Sequence, residues 1–256
     1  MTYKEFSIAK KSGKQRKIVA PDDELKTYQR SRADYLKSEF DRIATEAGVQ
    51  HVFHGFYPGR NCVTAATEHI GYEATVLMDL SNFFDTVTKT HTSGAGCILT
   101  QTDYERLFHK EGYAAQGFPS SPMLCNIAII KAVRDIVLNL DFAAVTVYAD
   151  DIAISFNDTS KENVNLVKHL VTSVFSAYGF SINPSKTRVR FAKYGHRRIL
   201  GVNVSDSSVI ATRKTMRKLR AVKHLVKSGK VTGPVVGGLQ TWSQCMYPKK
   251  ASDYAM

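Results

Sequence analysis

Two apolar runs, ATVLMDL at residues 74–80 and VTVYADDIAISF at residues 145–156, constrain this 256-residue chain more than any other feature. The first is a nearly continuous apolar strand, which implies burial on both faces up to Asp79. The second alternates as a hairpin whose turn falls on Ala149-Asp150, where Asn-Gly is the usual choice. A non-glycine residue held in such a turn is strained, and strain of this kind persists where a site needs it. The turn then presents Asp150 at its tip. Asp150 and Asp151, both ionised about 4 Å apart at an effective dielectric near 20, repel by about 4 kcal/mol. A cationic neighbour is therefore expected. If the two runs are adjacent strands of one sheet, Asp79 joins the pair and three carboxylates converge. Oxygen donors of this type suit Mg²⁺, which takes one or two protein carboxylates together with substrate phosphates.

The remaining chain supplies the frame. KKSGKQRKIVAP reads as a basic hairpin with a Ser12-Gly13 turn and a strand from Arg16 that Pro21 ends. Asp22 or Asp23 caps one helix running to about Ala47, with Leu25, Tyr28, Tyr35, Leu36, Phe40 and Ile43 on its apolar stripe and Gly48 as its stop. A loop, HVFHGFYPGRN, precedes a short helix that Asn61 caps. Residues 86–115 read as loop, with a helical hint only at Tyr104 to Phe108. Met123, Leu124, Ile127, Ile130, Val133 and Val137 have helical spacing, as do Val164, Val167, Leu170, Val171, Val174 and Tyr178 after Ser160. Short strands follow at Lys186 to Phe191 and Arg198 to Val204, then a helix from Thr212 to Lys227 and a tail containing Trp242. The order of elements predicts an α+β fold, an antiparallel sheet layered with helices on one face.

Composition narrows the function classes. Thirty-five Lys and Arg against 23 Asp and Glu give a net charge of +12, which points to a polyanionic partner held through counterion release. No run is long and apolar enough to span a bilayer, and MTYKEFSIAKKSGKQRK has no apolar core of a secretory signal, so a cytoplasmic protein without membrane attachment is expected. Cys62, Cys97, Cys125 and Cys245 lie far apart and form no C-x-x-C pair, which argues for free thiols. His51 and His54 are read as ordinary loop histidines. In the last helix, Met216, Leu219, Val222 and Val226 are expected to face the protein, with Arg213, Lys214, Arg217, Lys218, Arg220, Lys223 and Lys227 around the rest.

Several motifs in order resemble the reverse transcriptases, specifically the bacterial branch of retron, group II intron and defence-associated enzymes. VLMDLSNFFDTV is similar to their first palm motif, which implies Asp79 and the Leu80 carbonyl as metal ligands. QGFPSSPMLCNI resembles P-Q-G-x-P-x-S-P-x-L-x-N through Gln116, Gly117, Pro119, Ser121, Pro122, Leu124 and Asn126. YADD implies Asp150 as a metal ligand and Asp151 as the neighbouring acid, with Ala149 small enough for the primer end to approach. GFSINPSKT implies Lys186 as the group that approaches the triphosphate and protonates pyrophosphate. RILGVNV resembles the primer-gripping hairpin, placing Leu200 and Gly201 against the primer. Arg16 in KQRKIVAP matches the arginine that binds an incoming triphosphate, Gln116 and Gly117 belong to the same nucleotide site, and Phe84 stands where an aromatic ring excludes a 2′-hydroxyl. AATEH is similar to the retron N-A-x-x-H stretch with Ala65 in place of Asn. RILGVNV lacks the V-T-G of many retron enzymes, and the segment between Asp79 and Gln116 is short for one.

The resemblance implies a right-hand polymerase: fingers over residues 1–71, palm over 72–205 with 86–115 as a fingers-associated insertion, and a small helical thumb over 206–256 carrying Arg213, Lys214, Arg217 and Lys218 to template and primer. It implies an RNA-directed DNA polymerase that adds dNTPs to a DNA or RNA primer on an RNA template, using two Mg²⁺ ions for which Mn²⁺ can substitute. A cognate non-coding RNA, an effector protein and a role in antiphage defence are the further implications. On this reading no RNase H, integrase or endonuclease domain is expected within the 256 residues. Two rivals stand beside this reading: an RNA-directed RNA polymerase using Asp85 to sense a ribose hydroxyl, and an inactive palm kept as an RNA-binding module. Phe84 and Y-A-D-D oppose the first; three intact acids oppose the second, since buried acids without a metal cost stability.

Overall fold

The computed structural model describes residues 2–9, 13, 15–228 and 237. Ser12, Trp242 and Cys245 lie outside the described residues. Strands β1 (Tyr3–Ala9) and β2 (Gln15–Pro21) form the basic hairpin, followed by helices α1 (Asp23–Ser31), α2 (Ala33–Glu46) and α3 (Cys62–Thr67). Then come β3 (Ala74–Asp79), the short helices α4 (Phe83–Thr86), α5 (Lys89–Gly94) and α6 (Gln101–Leu107), and the long α7 (Ser121–Asn139). The hairpin β4 (Ala144–Tyr148) and β5 (Asp151–Phe156) leads through α8 (Lys161–Ala177) to β6 (Arg188–Phe191). The described chain closes with β7 (Arg197–Ile199), β8 (Val202–Val204), β9 (Val209–Ala211) and α9 (Arg213–Lys227).

The central sheet has the order β4-β5-β3-β6, with every pairing antiparallel. Period-two alternation divides its faces. Val76, Met78, Val145, Val147, Ile152 and Ile154 belong to the main core with α7 and α8, whose Leu124, Ile127, Val167 and Phe175 are fully buried. Each such side chain contributes about 1.5–3 kcal/mol by leaving water. Thr75, Leu77, Asp79, Asp151, Ala153 and Ser155 alternate onto the other face. The rear of that second face is covered by α3 and the three-stranded sheet β7-β8-β9, through Val63, Ala66, Ile199, Val202 and Val204 packed on Ala153. Its front is left open. The near-continuous apolarity of β3 thus has two causes, one cover on each face.

Four sequence expectations change. The helix expected from Asp22 to Ala47 is two helices, broken at Arg32, where φ is −88° and ψ −3°. Arg32 is drawn to α6, with Nε 2.7 Å from Asp103 Oδ1 and Nη2 donating to Oδ2 at 2.8 Å. Since Arg32 keeps right-handed φ, the apolar period continues through the break. Residues 86–115 hold α5 in addition to α6, which is the helix hinted at Tyr104 to Phe108. Thr88 and Thr100 start them through capping boxes with His91 and Asp103, a signal of local hydrogen bonds in short, polar helices without an apolar stripe. The strand expected at Arg198 to Val204 is a hairpin turning at Leu200 (φ 48°) and Gly201 (φ 84°), and β9 adds a third strand. On α9, Leu219 is buried, whereas Val226 is exposed. Among the described residues no helix is long and apolar enough to cross a membrane.

Candidate active site

The open front of the second face carries the carboxylates. Asp79, the last residue of β3, faces Asp151, the first of β5, as a register pair. Tyr148 pairs with Asp151 across β4 and β5, so Ala149-Asp150 is a two-residue turn. Ala149 adopts φ 57°, the left-handed conformation expected of it. The Leu80 N–H donates to the Asp150 carbonyl at 2.9 Å and the Asn183 N–H to the Asp79 carbonyl at 2.8 Å. These bonds fix the carboxylate-bearing strand ends to each other and to the loop that carries Lys186.

Lys186 is the expected cation: its Nζ donates to Asp79 Oδ2 at 2.6 Å. That bond raises the Lys186 pKa, so the ammonium is held charged beside the acids. Desolvation lifts the Asp150 carboxyl above its usual range against an opposing backbone hydrogen bond, and the Asp79 charge adds to the rise. Desolvation, then the charges of Asp150 and Asp79, push Asp151 up to about 6, while Lys186 pulls the other way. Two acids resisting ionisation around a third mark a cluster short of positive charge.

Among the described residues no three His, Cys, Asp or Glu side chains form a ready-made cation cage. The arrangement still fits a divalent cation of the Mg²⁺ type, because such ions are held by one or two carboxylates with phosphates and water completing the shell. Asp79, Asp150 and the Leu80 carbonyl are the candidate ligands. A cavity of about 320 Å³ opens beside them, lined by Asp79, Asp151, Lys186, Arg188, Thr146 and Leu200. The strained Leu200-Gly201 turn is thereby brought to the acids from β7-β8.

Other expected residues do not line this cavity. Phe84, half-buried in α4, packs edge-on against Phe83 and Phe56, with ring centroids 6.1 and 6.0 Å away. Arg16 is exposed on β2, opposite Ile8. The Gln116 carbonyl accepts from Val19 N–H of the same strand at 2.8 Å. A Cβ on Gly117 would meet Val19 O at 2.4 Å, so glycine is what lets the hairpin lie on this segment. Arg213 and Arg217 line a second cavity of about 310 Å³ with Arg220, while Lys214 and Lys218 are exposed on α9. His54 is buried and hydrogen-bonded through Nδ1 to Thr64 Oγ1 at 2.9 Å, as befits a structural histidine.

Sequence reasoning missed three supports of the site. Gly55 lies under the Ala149-Asp150 turn, where a Cβ would come within 2.2 Å of Ala149 N, and its carbonyl accepts from the buried Asn126 Nδ2 at 2.9 Å. The amide of Asn126 interrupts the apolar stripe of α7, and that interruption is the signal that could have exposed its role. Arg197 is fully buried, donating to Thr75 Oγ1 at 2.9 Å and His69 O at 2.6 Å, and so ties β7 to the palm-like sheet. Arg188, in register with Leu77, adds a cation to the cavity.

The family "Reverse transcriptase (RNA-dependent DNA polymerase)" matches residues 8–204. Retron Mx65 reverse transcriptase of Myxococcus xanthus is 30% identical over 247 residues, covering 87% of this chain and 55% of that protein. Retron Mx162 reverse transcriptase of the same organism is 30% identical over 268 residues, covering 89% and 53%. Retron Ec86 reverse transcriptase of Escherichia coli is 26% identical over 248 residues, covering 89% and 71%. The chain spans about half the length of the two Myxococcus relatives. In fold it is similar to a telomerase from Candida albicans, solved with a fragment of telomeric RNA (TM-score 0.59, 13% identity, 82% of this chain and 45% of that one). It is also similar to a foamy viral protease-reverse transcriptase in complex with double-stranded DNA (TM-score 0.53, 16% identity, 95% and 36%). The sequence relatives are retron enzymes despite Ala65 and the missing V-T-G.

Proposed function

This chain belongs to the family of reverse transcriptases (RNA-dependent DNA polymerases), and from that premise we propose that it extends a primer 3′-hydroxyl with deoxynucleotides on an RNA template. The observation that carries the proposal is the cluster itself: Asp79 in register with Asp151, Asp150 on the adjoining turn, and Lys186 on Asp79. The family generally uses divalent metal ions; for this chain we assign two Mg²⁺, replaceable by Mn²⁺, to Asp79, Asp150 and the Leu80 carbonyl. Such ions supply activation of the attacking hydroxyl and stabilisation of charge on the phosphates. The primer 3′-hydroxyl gives up its proton to solvent and its oxygen bonds to the α-phosphorus as the bond to pyrophosphate breaks. In this reading Lys186, held charged by Asp79, gives its proton to the departing pyrophosphate, which the contact with Asp79 supports. Asp151 adds negative charge beside the ligands.

Arg16, Gln116 and Gly117 are assigned to the triphosphate and base, Ala149 to the primer end, and Phe84 to exclusion of the 2′-hydroxyl. Leu200 and Gly201 grip the primer. The basic α9, with Arg213, Lys214, Arg217 and Lys218, tracks the template-primer backbone without reading sequence. We assign fingers, palm and thumb to 1–71, 72–205 and 206–256. The contacts of residues 86–115 with α1 and α2, including Tyr28 with Asp103 and Ile98 N–H with Glu39, support their place with the fingers. The retron relatives favour a cognate non-coding RNA as template, with an effector protein and a defence role as the wider setting, in the cytoplasm.

Template-directed extension assays test the proposal. Incorporation of dNTPs is expected; incorporation of NTPs alone would favour RNA synthesis, and RNA binding without incorporation an inactive module. Asp150→Asn should abolish synthesis with RNA affinity nearly unchanged, and parental synthesis by that variant would overturn the metal-site assignment. Sequencing of copurifying nucleic acid would identify the template.

A further inference from the structure

Phe56 occupies an unusual position. It follows Gly55 in the loop HGFYPGR, has φ 61°, and leaves its ring more than a third exposed. A left-handed backbone at a bulky residue is strained, and a ring this exposed returns little core burial for that strain. Such a conformation persists only where its surroundings dictate it.

The surroundings here are specific. Gly55 is seated on the turn that presents Asp150, closely enough that no Cβ fits, with its carbonyl held by Asn126 and its N–H 3.3 Å from the Val147 carbonyl. The chain therefore leaves the turn in one direction, and the left-handed step at residue 56 brings the Phe56 ring to Phe84. The two centroids are 6.0 Å apart and the planes cross at 71°, the edge-to-face arrangement that aromatic pairs prefer. Phe83 contacts Phe84 from another direction, at 65°. Phe84 is thus braced by two rings, one buried in the core and one anchored to the carboxylate-bearing turn.

We propose that Phe56 is a positioning residue for sugar discrimination: it holds the Phe84 ring where the ribose of the incoming nucleotide must pass, and registers that ring against the turn of Asp150. This rests on the reading of Phe84 as the group that excludes a 2′-hydroxyl. Phe56 acts through Phe84 and touches no reacting atom. Its loss should therefore alter the choice between nucleotides more than the use of either one.

The experiment compares kcat/KM for a dNTP and its matching NTP in primer extension by the full chain. Phe84→Ala should raise relative ribonucleotide use by about 100-fold, within the range that loss of a single steric contact gives. Phe56→Ala should raise it by about 3- to 10-fold, the weight of one aromatic pair. Phe56→Leu, which keeps apolar bulk, should move the ratio in the same direction, and Phe56→Tyr should restore it. In a Phe84→Ala background, Phe56→Ala should add nothing. If Phe84→Ala shifts the ratio while neither Phe56→Ala nor Phe56→Leu does, the inference is overturned and the reading of Phe84 survives. If Phe84→Ala itself leaves the ratio unchanged, the reading of Phe84 fails first. Equal loss with both nucleotides in the Phe56 variants would mark a merely structural role and also overturn the inference.

Discussion

Gly55→Ala adds a single methyl group, and its cost follows from the contacts it would make. The new Cβ would lie 2.2 Å from Ala149 N, 2.8 Å from the Tyr148 carbonyl carbon and 2.9 Å from the Tyr148 Cα. Non-bonded heavy atoms rest at about 3.5–4.0 Å, so the loop and the turn must separate by about 1 Å. All three opposing atoms are backbone, and no rotamer change can relieve the clash. Separation stretches the bond of His54 N–H to the Val147 carbonyl, now 2.8 Å, or displaces the turn that carries Asp150. Overpacking of this kind costs about 1–3 kcal/mol of stability. A misplacement near 1 Å at a reacting centre lowers the rate by about 100-fold. Primer extension at saturating dNTP and a thermal melt followed by circular dichroism measure the two effects. Gly59→Ala is the control: its φ of 76° makes alanine strained, but no atom lies within 4 Å of the added methyl. It should lose about 1–2 kcal/mol of stability and keep its extension rate. A Gly55→Ala protein with extension rate and melting temperature both close to the parent would refute the account of how the Asp150 turn is positioned.

Three further predictions follow from named contacts. Asn126→Leu removes the donor to the buried Gly55 carbonyl, and should cost about 1–3 kcal/mol in denaturant unfolding with a fall in extension rate, because that carbonyl is left unpaired. Lys186→Gln should slow extension at saturating dNTP by about 100-fold, since a charged proton donor is lost; an unchanged rate would exclude Lys186 as the acid. His69, buried with Nε2 2.7 Å from Thr146 Oγ1, has its pKa lowered to about 3, first by desolvation and then by Arg197. Below pH 6.5 the unfolded chain takes up a proton on this ring that the folded one refuses, so stability falls as pH drops toward 3, at up to about 1.4 kcal/mol per pH unit from this group. Urea titrations between pH 7 and 4 should show that slope reduced in His69→Gln.

The strands, the long helices and the acids were legible because their signals are local. β3 and the β4-β5 hairpin are marked by apolar period and by an Ala149-Asp150 turn too unusual to be decorative, and α7 and α8 by stripes of Leu, Ile and Val. The polar helix α5 escaped, and α6 showed only as a hint at Tyr104 to Phe108, because capping boxes at Thr88 and Thr100 start them without a periodic apolar face. The break at Arg32 escaped because the apolar period runs through it and the partner of Arg32, Asp103, is distant in sequence.

The sequence alone singled out Asp79, Asp150 and Asp151 as candidate acids at the ends of apolar strands, since burial pattern and turn chemistry are properties of neighbouring residues. Only the tertiary structure decided that Asp79 faces Asp151, that Lys186 neutralises Asp79, and that Gly55 and Asn126 set the height of the Asp150 turn. It also decided that Phe56 leans on Phe84 and that Arg197 joins β7 to Thr75 and His69. Residues 55, 126 and 149 share no period and no motif spacing. Their contact exists because a buried sheet, a helix and a loop must fill one volume at close packing, and that condition applies to the folded chain as a whole.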